Sequence, residues 1–411
     1  MKRIFTLIAA TALTSAAVAQ TMKVYTGHVV TSYAAEALGD VNFNNGTQLT
    51  LQGKTFNTSD IDSIVVDRSQ AAAARTMQVA YANGNTWVTV SGDVASLLNI
   101  AVKGDHVSVV AAPETAEEIT YALGGTATNG SFYMDGHYKS TLRFDNLNLT
   151  NPDSAAVCVD NGKRINVILA DGSTNSLTDG AGGMQKACFF INGHAEIKGA
   201  GVLNLTGNTK HAYASDEYTW IKNGGTTINV LSAVSDGLHV DQYFQMDGGT
   251  LNVSGTKGDC VDASCTKDAA DLQNGQIIIN GGAITMDVAA IDVKGLKGEK
   301  DVTINGGTIK ATVSGDGSKG MSVGGNLLVA QAEGATTLIN MTVSGTTYKY
   351  TDPITGLPDS SKCRGIKVTG NYTLSGGTIN MTVTGNKPKA FRLTESTSTL
   401  VVQPTWCLSK T

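Results

Sequence analysis

From about residue 140 onward, apolar residues recur on alternate positions in short bursts, and each burst is bounded by glycine. Ile277 and Ile279, or Val302 and Ile304, precede a Gly-Gly pair, while Ile284, Met286 and Val288, or Ile379, Met381 and Val383, follow one. A third burst follows a second glycine-type corner: Leu238 and Val240, Leu296, Met321 and Val323, Ile366 and Val368, Phe391 and Leu393. Strict alternation is the signature of a strand with one face buried, because successive side chains point to opposite sides. The Gly-Gly turns stand at Gly224-Gly225, Gly248-Gly249, Gly281-Gly282, Gly306-Gly307 and Gly376-Gly377, and two of the spacings are 24 and 25 residues. A fixed period in that range marks a solenoid whose units bury their apolar faces only against their neighbours. Three short strands and three turns per period predict a right-handed parallel β-helix over residues 116–411. A propeller blade needs about 40 residues and a membrane barrel about ten residues per strand.

Residues 20–115 do not repeat. They alternate in places, as in Gln48-Leu49-Thr50-Leu51 and Thr86-Trp87-Val88-Thr89-Val90, and are expected to form a small β domain or cap over the open end of the stack. Ahead of them, Met1-Lys2-Arg3, an uncharged apolar run from Ile4 to Ala16 and the small residues Ala17-Val18-Ala19 read as a secretory signal peptide over residues 1–19. That run is too short to span a bilayer, and no later stretch is long enough. The expectation is an extracytoplasmic protein with no transmembrane segment, and a monomer. With 47 Gly and 6 Pro the composition suits many tight turns, and a net charge of −5 gives no global field for nucleic acid.

Charge changes the picture on the third strand. Its units stack as Asp236-Gly237-Leu238-His239-Val240-Asp241, Asp259-Cys260-Val261-Asp262, Lys294-Gly295-Leu296-Lys297, Lys319-Gly320-Met321-Ser322, Arg364-Gly365-Ile366-Lys367 and Lys389-Ala390-Phe391-Arg392. The corner column is then Asp236, Asp259, Lys294, Lys319, Arg364, Lys389. The outward column is His239, Asp262, Lys297, Ser322, Lys367, Arg392. Acid gives way to base along one face, with coils about 4.8 Å apart. Like charges at that spacing call for a partner. For the acidic end, Asp236, Asp241, Asp259, Asp262 and Asp268 offer oxygens for calcium, which takes six to eight of them; the plainer reading is that Asp suits glycine turns. For the basic end, Lys294, Lys297, Lys319, Arg364, Lys367, Lys389 and Arg392 match an acidic polysaccharide, or form a solvated face that blocks aggregation.

The run from Asp236 to Asp241 followed by Met246-Asp247-Gly248-Gly249-Thr250, and Lys294-Gly295-Leu296-Lys297-Gly298-Glu299 before Gly306-Gly307-Thr308, resembles the repeated signature of a bacterial carbohydrate-binding β-helix family. The resemblance spans roughly residues 115 to 400. It implies a fold similar to pectate lyases and calcium-dependent binding of cellulose- or pectin-type polymers without established lyase activity. Cys260 departs from the pattern by standing where glycine is usual. The leading expectation is therefore an exported, non-catalytic carbohydrate-binding protein. The first alternative is a calcium-dependent polysaccharide lyase with Lys294 as the base, since a lyase removes a proton beside a uronate carboxylate. The second is a structural surface protein or adhesin.

The remaining chemistry is sparse. Cys158, Cys188, Cys260, Cys265, Cys363 and Cys407 permit disulfides in an exported chain, but Cys158 and Cys188 read equally well as small core residues one coil apart. Trp87, Trp220 and Trp406 are too few for a flat aromatic cellulose platform. Thr346 to Lys362 is an insertion carrying Tyr348 and Tyr350, and Asp268 to Gln273 is a shorter one.

Overall fold

The computed structural model describes residues 20–410 except 223, 267–269, 385–387, 394–400 and 403–405, and only the backbone of 401–402 and 406–410. The residues read as a signal peptide lie outside this range. Two compact units emerge, one from 20–74 with 89–96, the other from 75–88 with 97 onward.

The smaller unit is antiparallel. Thr21–Thr26 pairs on one side with Val29–Ala34 and on the other with Ser63–Asp67. Gln48–Leu51 pairs with Asn42–Asn44 and Lys54–Asn57. Val24, Tyr33, Leu49, Leu51, Phe56 and Ile61 make its core, so the alternation at Leu49 and Leu51 does mark the buried side.

The larger unit is the parallel β-helix. Its stack starts earlier than residue 116: Thr76–Ala82 already pairs in parallel with Ile119–Ala127, and Asp105–Ala111 with Gly130–Asp135. The polar alternation of residues 76–111 belongs partly to the first coil, which has no Gly-Gly turn to announce it.

The stack has three faces. On the first, the charged face, Tyr213, Leu238, Val261, Leu296, Met321, Ile366 and Phe391 stand in register. Leu238, Val261, Leu296, Met321 and Ile366 are at most 1% exposed. On the second, Thr219–Ile221, Phe244–Met246, Ile277–Ile279, Val302–Ile304, Leu327–Val329 and Tyr372–Leu374 pair in order. On the third, Thr227–Ala233, Thr250–Val253, Ala283–Val288, Gly307–Val313, Thr337–Val343 and Thr378–Val383 do the same. Aromatic rings pack inside the early coils, with the Phe189 ring centre 5.6 Å from that of Phe144 and 5.5 Å from that of Tyr213.

The Gly-Gly turns have a backbone cause. Gly249, Gly282, Gly307 and Gly377 adopt φ of 82°, 86°, 90° and 84°, the left-handed region where a Cβ is strained. A Cβ on Gly249 would also lie 2.6 Å from the Thr226 carbonyl oxygen in the preceding coil. Outward asparagines on the third face form a ladder: Asn229 Nδ2 donates to Asn204 Oδ1 at 2.8 Å and Asn252 Nδ2 to Asn229 Oδ1 at 2.9 Å.

The cysteines divide differently from the sequence expectation. Cys188 is buried, but Cys158 is half-buried on the outward side, in register with Phe190, and the two do not stack. Cys158, Cys188, Cys260, Cys265 and Cys363 are free thiols. The long insertion is an antiparallel hairpin of Thr347–Thr351 and Pro358–Lys362.

Candidate functional site

The charged face brings the sequence-predicted columns together. Lys294, Lys319, Arg364 and Lys389 pair coil to coil at the corner, and His239, Asp262, Lys297, Ser322, Lys367 and Arg392 pair in the next outward column. Backbone bonds from Gly237 N–H to the Asp259 carbonyl and from Cys260 N–H to the Lys294 carbonyl extend the corner column down to Asp259 and Asp236. The glycine after Asp236, Lys294, Lys319 and Arg364 permits close approach: a Cβ on Gly365 would lie 2.6 Å from the Ala390 carbonyl oxygen.

The acidic end is closed by the chain's own cations. Asp236 Oδ2 lies 3.1 Å from His211 Nδ1 and 3.2 Å from His239 Nδ1. His239 Nδ1 is also 3.2 Å from Asp262 Oδ2, and its Nε2 is 3.1 Å from Asp241 Oδ1. Lys297 Nζ lies 3.0 Å from Asp262 Oδ1, an ion pair without hydrogen-bond alignment, and 3.8 Å from Asp259 Oδ2. Asp236, Asp259 and Asp262 are buried. Asp268 lies outside the described residues.

These contacts set the protonation states. Burial opposes the negative charge on Asp236, yet the polar contacts with the His211 and His239 imidazoles hold it well below the usual carboxylate range. Burial likewise opposes the charge on His239, and the three carboxylates of Asp236, Asp241 and Asp262 outweigh it, raising the imidazole to about 11. Burial pushes His211 down. Asp259 is pushed up by burial to about 6, against the opposing charge of Lys294.

The donor set fits calcium poorly. Calcium selects oxygen ligands, whereas here the carboxylates converge on two imidazoles and two ammonium groups.

The basic column splits into two halves. Lys294 Nζ donates to the Asp292 carbonyl at 2.7 Å and lies 3.9 Å from Asp259 Oδ1. Lys319 is buried, with Nζ 2.8 Å from Asp292 Oδ1 and 2.5 Å from Ser361 Oγ of the hairpin. Ser361 Oγ in turn donates to Asp292 Oδ1 at 2.6 Å. Lys294, Lys297 and Lys319 therefore neutralise acids within the fold. Arg364, Lys367, Lys389 and Arg392 have no carboxylate within ion-pair distance among the described residues. Lys389 and Arg392 are exposed and Lys367 is half-buried, but Arg364, expected from the sequence to meet a ligand, is buried.

Sequence reasoning missed His211, Asp292 and Ser361 as partners. His211 was findable, since it lies one 25-residue period before Asp236. It also missed a patch on the second face. There Tyr218 stacks between His194 and Tyr243, with centroids 4.6 and 4.8 Å away, and Lys222 Nζ sits 4.2 Å from the Trp220 ring centre. Trp220 Nε1 donates to Asp247 Oδ2 at 2.7 Å. The aromatic supply is thus local rather than absent.

The family model of carbohydrate-binding domain-containing proteins matches residues 103–398. The chain belongs to that family. The match covers the whole charged face, and it agrees with the resemblance drawn from the Asp236–Asp241 and Gly-Gly-Thr motifs at the level of carbohydrate binding. A carbohydrate-binding domain-containing protein of Acetivibrio thermocellus is 26% identical over 155 residues, which are 34% of this chain and 54% of that protein. The chain thus spans about half the length of that relative. Among solved structures, a polysaccharide lyase-like protein from C. thermocellum, studied as a gadolinium derivative, matches with a TM-score of 0.50 and 20% identity, over 64% of this chain and 99% of that one. At that identity the likeness supports the parallel β-helix fold alone. Among the described residues no helix is long and apolar enough to cross a membrane.

Proposed function

We propose that this carbohydrate-binding domain acts outside the cytoplasm as a non-catalytic binder of an acidic polysaccharide, gripped at Lys367, Lys389 and Arg392, while Arg364 in the same columns is buried. The observation that carries this reading is the unneutralised half of the basic column: cations on successive coils of a rigid stack, with no intramolecular acid against them among the described residues. A polymer with one carboxylate per sugar offers a complementary row. Each exposed contact is weak, about 1 kcal/mol or less. Contacts on a preorganised ladder add with little ordering cost. The leader-like residues 1–19 support export. Lys294 Nζ is already engaged within the fold, donating to the Asp292 carbonyl and lying near Asp259; this disfavours a lyase.

The test is binding to polygalacturonate and to a neutral glucan at low and high salt. Acidic-polymer binding should fall steeply with salt, as exposed charges are screened within about 10 Å at 0.1 M. The double variant Lys367→Gln/Arg392→Gln should bind polygalacturonate about tenfold more weakly at low salt, two contacts being worth about 1.4 kcal/mol or more together. The fold should be intact, since neither side chain neutralises an acid within it. Unchanged binding in the double variant would reduce the ladder to a solubilising face. Release of unsaturated sugars by the parent would replace binding with lyase activity.

A further inference from the structure

Asp236, His211 and His239 occupy three neighbouring positions where the corner column meets the outward column. The two imidazoles are stacked, with ring centres 4.4 Å apart and planes 11° from parallel. Both turn Nδ1 toward one oxygen, Asp236 Oδ2, at 3.1 and 3.2 Å. One ligand atom from each of the three residues can be chosen so that all lie within 4.8 Å of one another. Asp262 Oδ2 adds a further oxygen 3.2 Å from His239 Nδ1.

The hydrogen bonds around the cluster decide which nitrogens are free. His239 Nε2 faces Asp241 Oδ1 at 3.1 Å, and Asp241 is itself held by Ser264 Oγ at 3.0 Å. When the ring carries a single proton and Asp241 holds it on Nε2, Nδ1 presents its lone pair to Asp236 and Asp262. On His211, Nδ1 accepts the backbone N–H of Asp236 at 3.2 Å and so also carries a lone pair. Its Nε2 has no partner, although the residue is only 2% exposed. Two lone-pair nitrogens and two carboxylate oxygens at 3.1–3.2 Å repel unless a positive species lies among them. That species is either an extra proton on His239 or a metal ion.

We propose that His211, Asp236 and His239 bind a borderline divalent cation of the zinc class, with Asp262 beside it and Asp241 orienting His239. Zinc–nitrogen bonds of about 2.0–2.1 Å place neighbouring ligand atoms of a tetrahedron about 3.3–3.4 Å apart, close to the 3.1 and 3.2 Å that separate Asp236 Oδ2 from the two Nδ1 atoms. Imidazole donors select zinc, nickel or copper over calcium. The Asp241–His239 contact is the arrangement in which a carboxylate fixes a ligating histidine through its other nitrogen. The metal would take the His211 lone pair from a weak backbone hydrogen bond. This site lies on the acidic half of the charged face and does not depend on the polysaccharide reading.

The test uses the full chain, freed of metal with a chelator and dialysed, then titrated separately with zinc, nickel and calcium chloride. Thermal unfolding and calorimetry should show a rise in midpoint and one strong site for zinc or nickel, and calcium in excess should not compete. Cobalt(II) should give the visible absorption of a four-coordinate nitrogen–oxygen site. His211→Gln and His239→Gln should each abolish the strong site. Asp241→Asn removes an orienting group only, so it should fold and weaken zinc affinity roughly tenfold to a hundredfold. The proposal is overturned if zinc and nickel leave the midpoint unchanged, if calcium displaces zinc, or if folded Asp241→Asn binds zinc as tightly as the parent.

Discussion

Replacing Leu296 with alanine is expected to lower the unfolding free energy by about 2–5 kcal/mol. Leu296 is fully buried, stacked between Val261 in the coil before and Met321 in the coil after. The loss has two parts: the transfer energy of the removed carbons, and the cavity they leave. Collapse into that cavity is restricted here. Parallel ladders fix the coil spacing at about 4.8 Å, and all three faces would have to shift together for neighbours to close in. The expected value therefore lies in the upper part of the range. Phe391→Ala, although it removes a larger side chain, should cost less, because Phe391 is only partly buried near the end of the described stack. In a solenoid each coil is stabilised by its two neighbours, so a defect in the middle weakens two interfaces. Denaturant titration of the two variants checks the ranking. A Leu296→Ala loss below that of Phe391→Ala would mean that the column does not carry the core.

The register of the charged face was legible because a two-residue period and a glycine after the corner residue coincide in coil after coil. Leu238, Leu296, Met321 and Ile366 each follow such a glycine, and each is buried in register. Val261 follows Cys260 instead and still falls in line, since Cys260 is small enough to be fully buried at the tight corner. The coils before residue 210 carry no such punctuation. Ala187–Lys198 runs through two faces as one long strand, with Gly193 at φ 140° marking the bend between them. Strand alternation alone does not reveal that bend.

Charge was legible as a column and illegible as a set of pairs. Lys319 and Arg364 look equivalent in the sequence, one coil apart at the same corner. Lys319 is nonetheless committed to Asp292, which occupies the preceding turn at φ 54°, and to Ser361, which arrives from the hairpin. Neither partner is at a repeat position, so no period predicts it. At the acidic end the missing partner does stand at a repeat position, one period before Asp236. Five aspartates read as oxygen donors for calcium, but His211 enters from a coil whose sequence lacks the Asp-Gly motif. With His239 it puts two nitrogens among the carboxylate oxygens. The consequence for function is that only the later coils offer free cations to a ligand, while the earlier coils use theirs to hold buried carboxylates.

That division makes Asp236 a structural as well as a ligating residue, and its removal in metal-free protein should be severe. Its Oδ2 faces two imidazoles, and its Oδ1 accepts the backbone N–H of Asp259 at 2.7 Å. Asp236→Ala strands the buried His211 imidazole and the Asp259 N–H, while His239 keeps Asp241 and Asp262. Removing one partner of a buried charged pair costs about 3–5 kcal/mol, since the other is left uncompensated. Asp236→Asn keeps an oxygen for the Asp259 N–H and loses only the charge, so its cost should be nearer about 1.5–3 kcal/mol, the worth of a hydrogen bond to a charged group. Asp241→Asn should cost less than either, because Asp241 is less buried than Asp236 and His239 retains Asp236 and Asp262. Chemical denaturation of the three variants in chelator gives the order directly. If Asp236→Ala were no worse than Asp241→Asn, the carboxylate at the corner would be a turn former, as aspartate often is beside glycine, and the histidines would owe their placement to packing alone.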